Sequence, residues 1–186
     1  KIPWKLNFLF LLLREEILVF QNFGLLPHRT VAQNVAYGLT IQGIKGPEAI
    51  ERSQHWTERV GLAGFEGHYP AQLSGGMRQR VGLARAMATD AEILLMDEAF
   101  SALDPLIRTD MQDVLLRLQE ELHKTIIFIT HDLDEALRIG DRIAMLHGGK
   151  IVWAGESSQV ENSGNEYLDQ FIHGRTSGPI KMAIQA

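Results

Sequence analysis

The run Ile93-Leu94-Leu95-Met96 ends in two carboxylates, Asp97-Glu98, and this segment decides most about the fold. Apolar residues without alternation suit a strand buried on both faces of a parallel sheet. A charged pair placed directly after such a run has to be hydrated, paired or put to use. In an open α/β sheet, ligands sit beyond the carboxyl ends of the strands. A second apolar run, residues 125–129, reads as another buried strand and leads into Thr130-His131. Topology alone therefore places Asp97, Glu98 and His131 at one edge of one sheet.

The flanking segments supply the helices. Residues 17–20 read as a strand end, broken by Gln21-Asn22-Phe23-Gly24 and by Pro27. Thr30 is placed to cap a helix over residues 31–39 that ends near Gly43. Pro47 suits the first turn of the next helix, running to about Val60. Gly61, Gly64 and Gly67 then form a loop up to Tyr69-Pro70, and a further helix runs from Met77 to about Thr89. Asp104-Pro105 is a cap and first-turn pair, after which Ile107, Met111, Val114, Leu115, Leu118 and Leu122 form a core-facing stripe. Gln119-Glu120-Glu121 on the same helix read as a solvated face. A short helix over residues 132–139 precedes a β-hairpin, residues 142–146 and 150–153, turning at His147-Gly148-Gly149. A last helix covers residues 165–172, and the tail from Gly174 reads as loosely held. Strands alternating with helices make a doubly wound α/β fold.

Composition narrows the partners. A net charge of −5 gives no basic footprint, so nucleic acid is not expected. The absence of cysteine fits a reducing compartment and excludes disulfides. The longest apolar run, residues 6–13, is short of the ~20 residues a bilayer-spanning helix needs. It has lysines before it, but no small-residue cleavage site follows, so a buried strand or helix is preferred over a signal peptide. Of the seven histidines, His28, His55, His68, His123, His147 and His173 read as ordinary core or loop residues.

Leu73-Ser74-Gly75-Gly76-Met77-Arg78-Gln79 opens the helix that precedes the acidic strand. The free backbone N–H groups of a helix N-terminus and its dipole make an anion site. Glycines at Gly75 and Gly76 let a phosphate approach closely, and the Ser74 hydroxyl is a further donor. This stretch, continued by Arg80-Val81-Gly82-Leu83-Ala84-Arg85-Ala86, resembles the signature loop of ABC-type ATPases. Residues 93–98 resemble their Walker B strand, Phe20-Gln21-Asn22-Phe23-Gly24 and the residues to His28 their Q-loop, and Ile129 to Ala136 their switch-histidine region. The resemblance covers residues 17 to about 155 and is to the ATPase subunits of quaternary-amine (glycine betaine/proline) importers. Ala99, where most ABC ATPases carry proline, points to that subfamily.

The resemblance implies a P-loop NTPase-like sheet with an α-helical signature subdomain at about residues 30–88, with ATP and Mg²⁺ as cofactors. Asp97 would hold the Mg²⁺ shell and Glu98 would face the attacking water. Gln21 would contact Mg²⁺ or that water and sense the membrane partner. Ser74, Gly75, Gly76 and Gln79 would contact nucleotide, Asp104 would cross a dimer interface, and His131 would contact the γ-phosphate. Expected partners are transmembrane permease subunits, a second ATPase subunit forming a homodimer and, indirectly, a substrate-binding protein. The expected location is peripheral, on the cytoplasmic face of the cell membrane.

Three departures qualify this picture. No G-x-x-x-x-G-K-[ST] run occurs, so the phosphate-cradling loop is missing and the domain reads as incomplete. Residues 1–16 match nothing in the family, and this polypeptide alone is expected to bind ATP poorly and to be inactive. Residues 156–186 form a C-terminal helix and tail, of which residues 170–180 resemble the tails of phospholipid-trafficking ABC ATPases, which makes lipid trafficking the alternative. An inactive fragment that docks on a membrane partner is the other. ABC ATPases of DNA repair or translation carry long insertions that are not seen here.

Overall fold

The computed structural model describes residues 16–20 and 24–181. Gln21 lies outside the described residues. The chain divides into two compact units, residues 1–129 and 130–186.

In the first unit, β1 (Glu16–Phe20), β2 (Ile93–Asp97) and β3 (Thr125–Ile129) form a parallel sheet in the order β1-β2-β3. The register aligns Phe20, Asp97 and Ile129, so the three strands end together. The expected α/β architecture is thus present. Leu94 and Met96 are fully buried on one face of β2, while Ile93 and Leu95 are half-buried on the other. The double-sided burial expected for β3 is corrected, because Ile127 is 50% and Ile129 55% exposed. Among the described strands β3 is an edge, and nothing in an apolar run reveals which face will be covered.

Helices α1 (Val31–Ile41), α2 (Pro47–Arg59) and α3 (Gly75–Ala88) pack together between β1 and β2 in sequence. Val31, Val35 and Leu39 of α1 meet a core that includes Trp56, Val81, Leu83 and Met87. Each fully buried Leu or Val contributes about 1.5–3 kcal/mol relative to exposure. Thr30 caps α1 in a reciprocal box, its Oγ1 accepting from Gln33 N and Gln33 Oε1 accepting from Thr30 N. Helix α3 begins at Gly75 rather than Met77, because its cap is Ser74.

Helix α4 (Pro105–Leu122) buries Met111, Val114, Leu115 and Leu118, the expected stripe. It is tied to its neighbours by two ion pairs, Arg80 of α3 with Asp110 and Arg59 of α2 with Glu121. Glu121 is therefore not simply part of a solvated face. Partly exposed pairs of this kind contribute about 0–1 kcal/mol each. Their value here is to fix how α4 lies against α2 and α3.

The second unit contains α5 (Leu133–Ile139), the antiparallel hairpin β4 (Arg142–His147) and β5 (Lys150–Glu156), and α6 (Glu166–Ile172). Gly148 and Gly149 both have positive φ, 56° and 75°, which a two-residue turn of the primed type requires. The Trp153 ring lies where a side chain at Gly155 would have to stand. Asn165 caps α6 and also donates from Nδ2 to Val152 O at 3.0 Å, joining helix to hairpin. The tail is better held than expected. The buried Gln170 donates to Arg175 O and Ile180 O, and its Oε1 accepts from Ile180 N at 2.7 Å.

Candidate functional site

Asp97 is the last residue of β2 and its side chain is exposed at the carboxyl end of the sheet. Glu98 follows with φ +46°, the left-handed region. For a residue with a side chain this conformation costs roughly 1–2 kcal/mol. Three hydrogen bonds hold it there. Glu98 N donates to Ile129 O at 2.9 Å, extending the β2–β3 ladder past the strand end. Glu98 O accepts from Ser101 N at 3.2 Å and from Ser101 Oγ at 2.9 Å. Ala99 and Phe100 turn inward and are buried, and the Phe100 ring lies 5.5 Å from that of Phe128 on β3. The backbone is thus held from both sides, while the carboxylate at Glu98 is left half-buried beside the exposed Asp97. Strained non-glycine backbone at a carboxylate is a recurrent mark of functional sites.

The turn runs directly into α4. Asp104 caps that helix, its Oδ1 accepting from Ile107 N at 3.1 Å, with Pro105 in the first turn. Arg108 reaches back to donate to Leu103 O at 3.3 Å and Ser101 O at 3.5 Å. Residues 98–104 are therefore pinned at both ends by one helix and one strand. Two oxygen-donor carboxylates at a strand end suit a hard divalent cation that keeps several waters and phosphate ligands.

The second half of the candidate site is built on α3. The buried Leu73 ends a 3-10 turn (Pro70–Gln72), and Arg78 Nη1 donates to Leu73 O at 2.6 Å. Ser74 has an extended backbone, and its Oγ accepts from Met77 N at 3.2 Å. The N–H groups of Gly75 and Gly76 fall in the first turn, where α-helices lack internal acceptors. Gly76 is needed for packing as well. A Cβ there would stand 2.4 Å from Ile107 Cγ2 of α4, and one at Gly75 would touch Leu103 Cδ2 at 3.8 Å. The loop is thereby seated against the start of the helix that follows the acidic turn.

The structure brings Asp97, Glu98 and Asp104 into one continuous segment and sets Ser74, Gly75 and Gly76 against the head of α4. Gln79 differs from these. It is fully buried, and its Nε2 and Oε1 have no hydrogen-bond partner among the described residues. His131 is exposed and belongs to the second unit, where Thr130 Oγ1 accepts from Asp132 N at 3.0 Å.

Two residues that the sequence reading passed over stand out. Asn34, buried on α1, and Arg85, near the end of α3, both bind the backbone of residues 24–30, which begins within the Q-loop resemblance and runs on to the cap of α1. Burial pushes the Arg85 guanidinium below its ordinary value, and the Tyr37 hydroxyl opposes that shift. A polar residue at a core position of an apolar helix was the available signal for Asn34.

Residues 12–101 match the family model described as ABC transporter. The chain is 58% identical over 156 residues to the glycine betaine transport ATP-binding protein OpuAA of Bacillus subtilis, covering 83% of this chain and 37% of that protein. It is 53% identical over 158 residues to the glycine betaine/proline betaine transport system ATP-binding protein ProV of Escherichia coli, covering 84% and 40%. It is 51% identical over 155 residues to the trimethylamine N-oxide transport system ATP-binding protein TmoW of Pelagibacter ubique, covering 83% and 46%. The chain thus spans about two fifths of the length of the curated relatives it matches. With the parallel sheet, the serine-glycine helix start and the acidic strand end in hand, these identities make the chain a member of the ABC transporter ATP-binding family.

Proposed function

We propose that this protein acts in the ATP-hydrolysing subunit of an ABC importer, coupling hydrolysis to uptake of a quaternary amine such as glycine betaine or proline betaine. The observation that carries the reading is the 58% identity to a glycine betaine transport ATP-binding protein over most of the chain. The strained acidic turn supports it, because phosphoryl transfer to water relies on positioned charge rather than on covalent chemistry. The relatives do not favour the phospholipid-trafficking alternative.

In this reading Glu98 orients and deprotonates the attacking water, and the exposed Asp97 carboxylate holds Mg²⁺ together with the phosphates. Mg²⁺, when bound, neutralises charge on the β- and γ-phosphates. Ser74 and the amides of Gly75 and Gly76 bind the γ-phosphate of a nucleotide held by a second ATPase subunit. Gln79 backs that loop from the core. Asp104 stands at the interface between the two subunits, and His131 and Gln21 complete the phosphate and water contacts. Transmembrane permease subunits are the partners, reached from the cytoplasmic face of the membrane, and a substrate-binding protein acts through them. Among the described residues no helix is long and apolar enough to cross a membrane.

The test is made on the protein assembled with its permease. Mg²⁺-dependent ATP turnover in membrane vesicles is measured with and without glycine betaine. Turnover that rises with glycine betaine and collapses in Glu98→Gln is expected. Turnover indifferent to both would overturn the reading.

A further inference from the structure

Gln79 is fully buried on α3, and its Nε2 and Oε1 have no hydrogen-bond partner among the described residues. Buried amides are almost always paired, so this one destabilises the arrangement that holds it. Its place in the helix is specific. Gln79 follows Gly75 by four residues and Gly76 by three, so it continues their row on one face of α3. That face meets the head of α4: a Cβ at Gly75 would touch Leu103 Cδ2, and one at Gly76 would run into Ile107 Cγ2. Helical side chains lean toward the N-terminus, over the preceding turn. Row and lean together set the Gln79 amide under the Ser74-Gly75-Gly76 loop, on the side of the 98–104 turn. The backbone acceptors on both sides are already engaged. Leu73 O accepts from Arg78 Nη1 at 2.6 Å, and Ser74 O from Arg78 N at 3.0 Å. Glu98 O accepts from Ser101, and Phe100 O from Leu103 N at 3.1 Å. Leu103 O and Ser101 O accept from Arg108 Nη2, but at 3.3 and 3.5 Å. Bonds of that length are the weakest of the set and the readiest to be exchanged.

We propose that Gln79 is a positioning residue that keys the Ser74-Gly75-Gly76 loop to the 98–104 turn: its amide is unpartnered in this arrangement of α3 against α4 and takes partners in a second one, which phosphate at the loop favours. The proposal rests on the importer reading above. An unpaired buried amide raises the energy of the arrangement that contains it. A small slide of α3 along α4 that brings the amide to Ser101 O or Leu103 O, in place of the long bonds from Arg108, removes that cost. The buried polar group thus biases the equilibrium toward the second arrangement without touching nucleotide. A ligand that binds the second arrangement better benefits from this bias, because its apparent affinity scales with the fraction of protein in the competent form. An apolar side chain of the same length would be indifferent to the two arrangements. It would leave the first one more stable and the passage to the second one harder.

The test uses the assembled complex in vesicles, with Mg²⁺-ATP as the probe. Gln79→Met keeps the length of the side chain and removes both polar atoms. Gln79→Leu does the same with a different shape, so a packing failure in one variant does not decide the result. Without nucleotide, the thermal midpoint of the better-packed variant is expected to rise by roughly 2–4 °C, the shift for relief of one such penalty in a chain of this size. KM for ATP is expected to rise about tenfold, while kcat at saturating ATP stays within about twofold of the parent. A merely structural role would instead lower the midpoint and leave KM alone. A midpoint that falls or stays put in both variants shows that the amide is satisfied, as by an internal water, and overturns the inference. So does a raised midpoint with unchanged KM, which makes Gln79 an idle defect. A loss of kcat at unchanged KM also overturns it, since that puts the residue in the chemistry. A parent complex with no turnover removes the importer reading and this role with it, whereas an active parent beside variants of equal KM removes this role alone.

Discussion

The turn at Asp97-Glu98 and the loop at Ser74-Gly75-Gly76 both feed a helix capped by a short polar side chain, yet they meet their backbone demands in opposite ways. At the loop, the cap residue is extended and unstrained, and Gly76 removes the side chain that would crowd Ile107. At the turn, a long carboxylate occupies a conformation that glycine would adopt without strain. The loop spends its sequence on close approach, and the turn spends stability on placing one acidic group. The difference teaches which residue is replaceable at each place. Backbone shape is what the loop must keep, and side-chain chemistry is what the turn must keep.

The strongest way to break this contrast is Glu98→Gln. It keeps the shape, the size and the left-handed backbone, and removes only the base. Turnover of the assembled complex is expected to fall by about 10²–10⁴-fold. Denaturant midpoints should stay within about 0.5 kcal/mol of the parent. An active Glu98→Gln protein would mean the strain at this turn serves something other than proton transfer.

Gly76→Ala tests the loop from the other side. The added methyl meets Ile107 at a distance that packed atoms do not tolerate. Overpacking of this kind costs about 1–3 kcal/mol, against less than ~1 kcal/mol gained in helix propensity. Net destabilisation is expected in urea unfolding, and Ile107→Val in the same chain leaves that Cγ2 in place and should not relieve it, whereas Ile107→Ala should. Equal stability of Gly76→Ala and parent would show that α3 and α4 can shift apart freely.

Ser74→Ala removes the side chain that accepts from Met77 N. Loss of a cap costs about 1 kcal/mol, measured as a lower unfolding midpoint. The smallest effect sharpens the comparison most. Glu98→Gly relieves roughly 1–2 kcal/mol of left-handed strain and adds roughly 0.5–1 kcal/mol of chain flexibility. The variant should be as stable as the parent or up to about 1 kcal/mol more so, with turnover lost. A clear loss of stability would show that the Glu98 side chain contributes packing.

How much of this was legible in the sequence follows from what each signal encodes. The caps Thr30 and Asp104 lie where the sequence puts them, because a side-chain acceptor before an apolar periodic run is a local feature, whereas Ser74 and Asn165 cap helices whose starts were read at Met77 and at Asn165 itself. The edges of α4 and β3 were readable for the same reason. The half-open face of β3, the pairing of Glu121 with Arg59 and the anchoring of the tail by Gln170 were not, since each depends on a residue distant in sequence. Asn34 carried a faint signal as a buried polar residue in an apolar pattern. The left-handed backbone of Glu98 carried none, because glutamate gives no hint of positive φ. The acidic pair was visible as chemistry before it was visible as strain.

The division into two units also bears on how unfolding can be watched. Trp56 is buried in α2 of the first unit, and Trp153 is half-buried on β5 of the second. With Trp4 replaced by phenylalanine, one indole remains to report on each unit. Single-tryptophan variants at these two positions then give two emission colours for two pieces of one chain. Coincident fluorescence transitions would mark a single cooperative block, and separated ones would give each unit a melting temperature of its own.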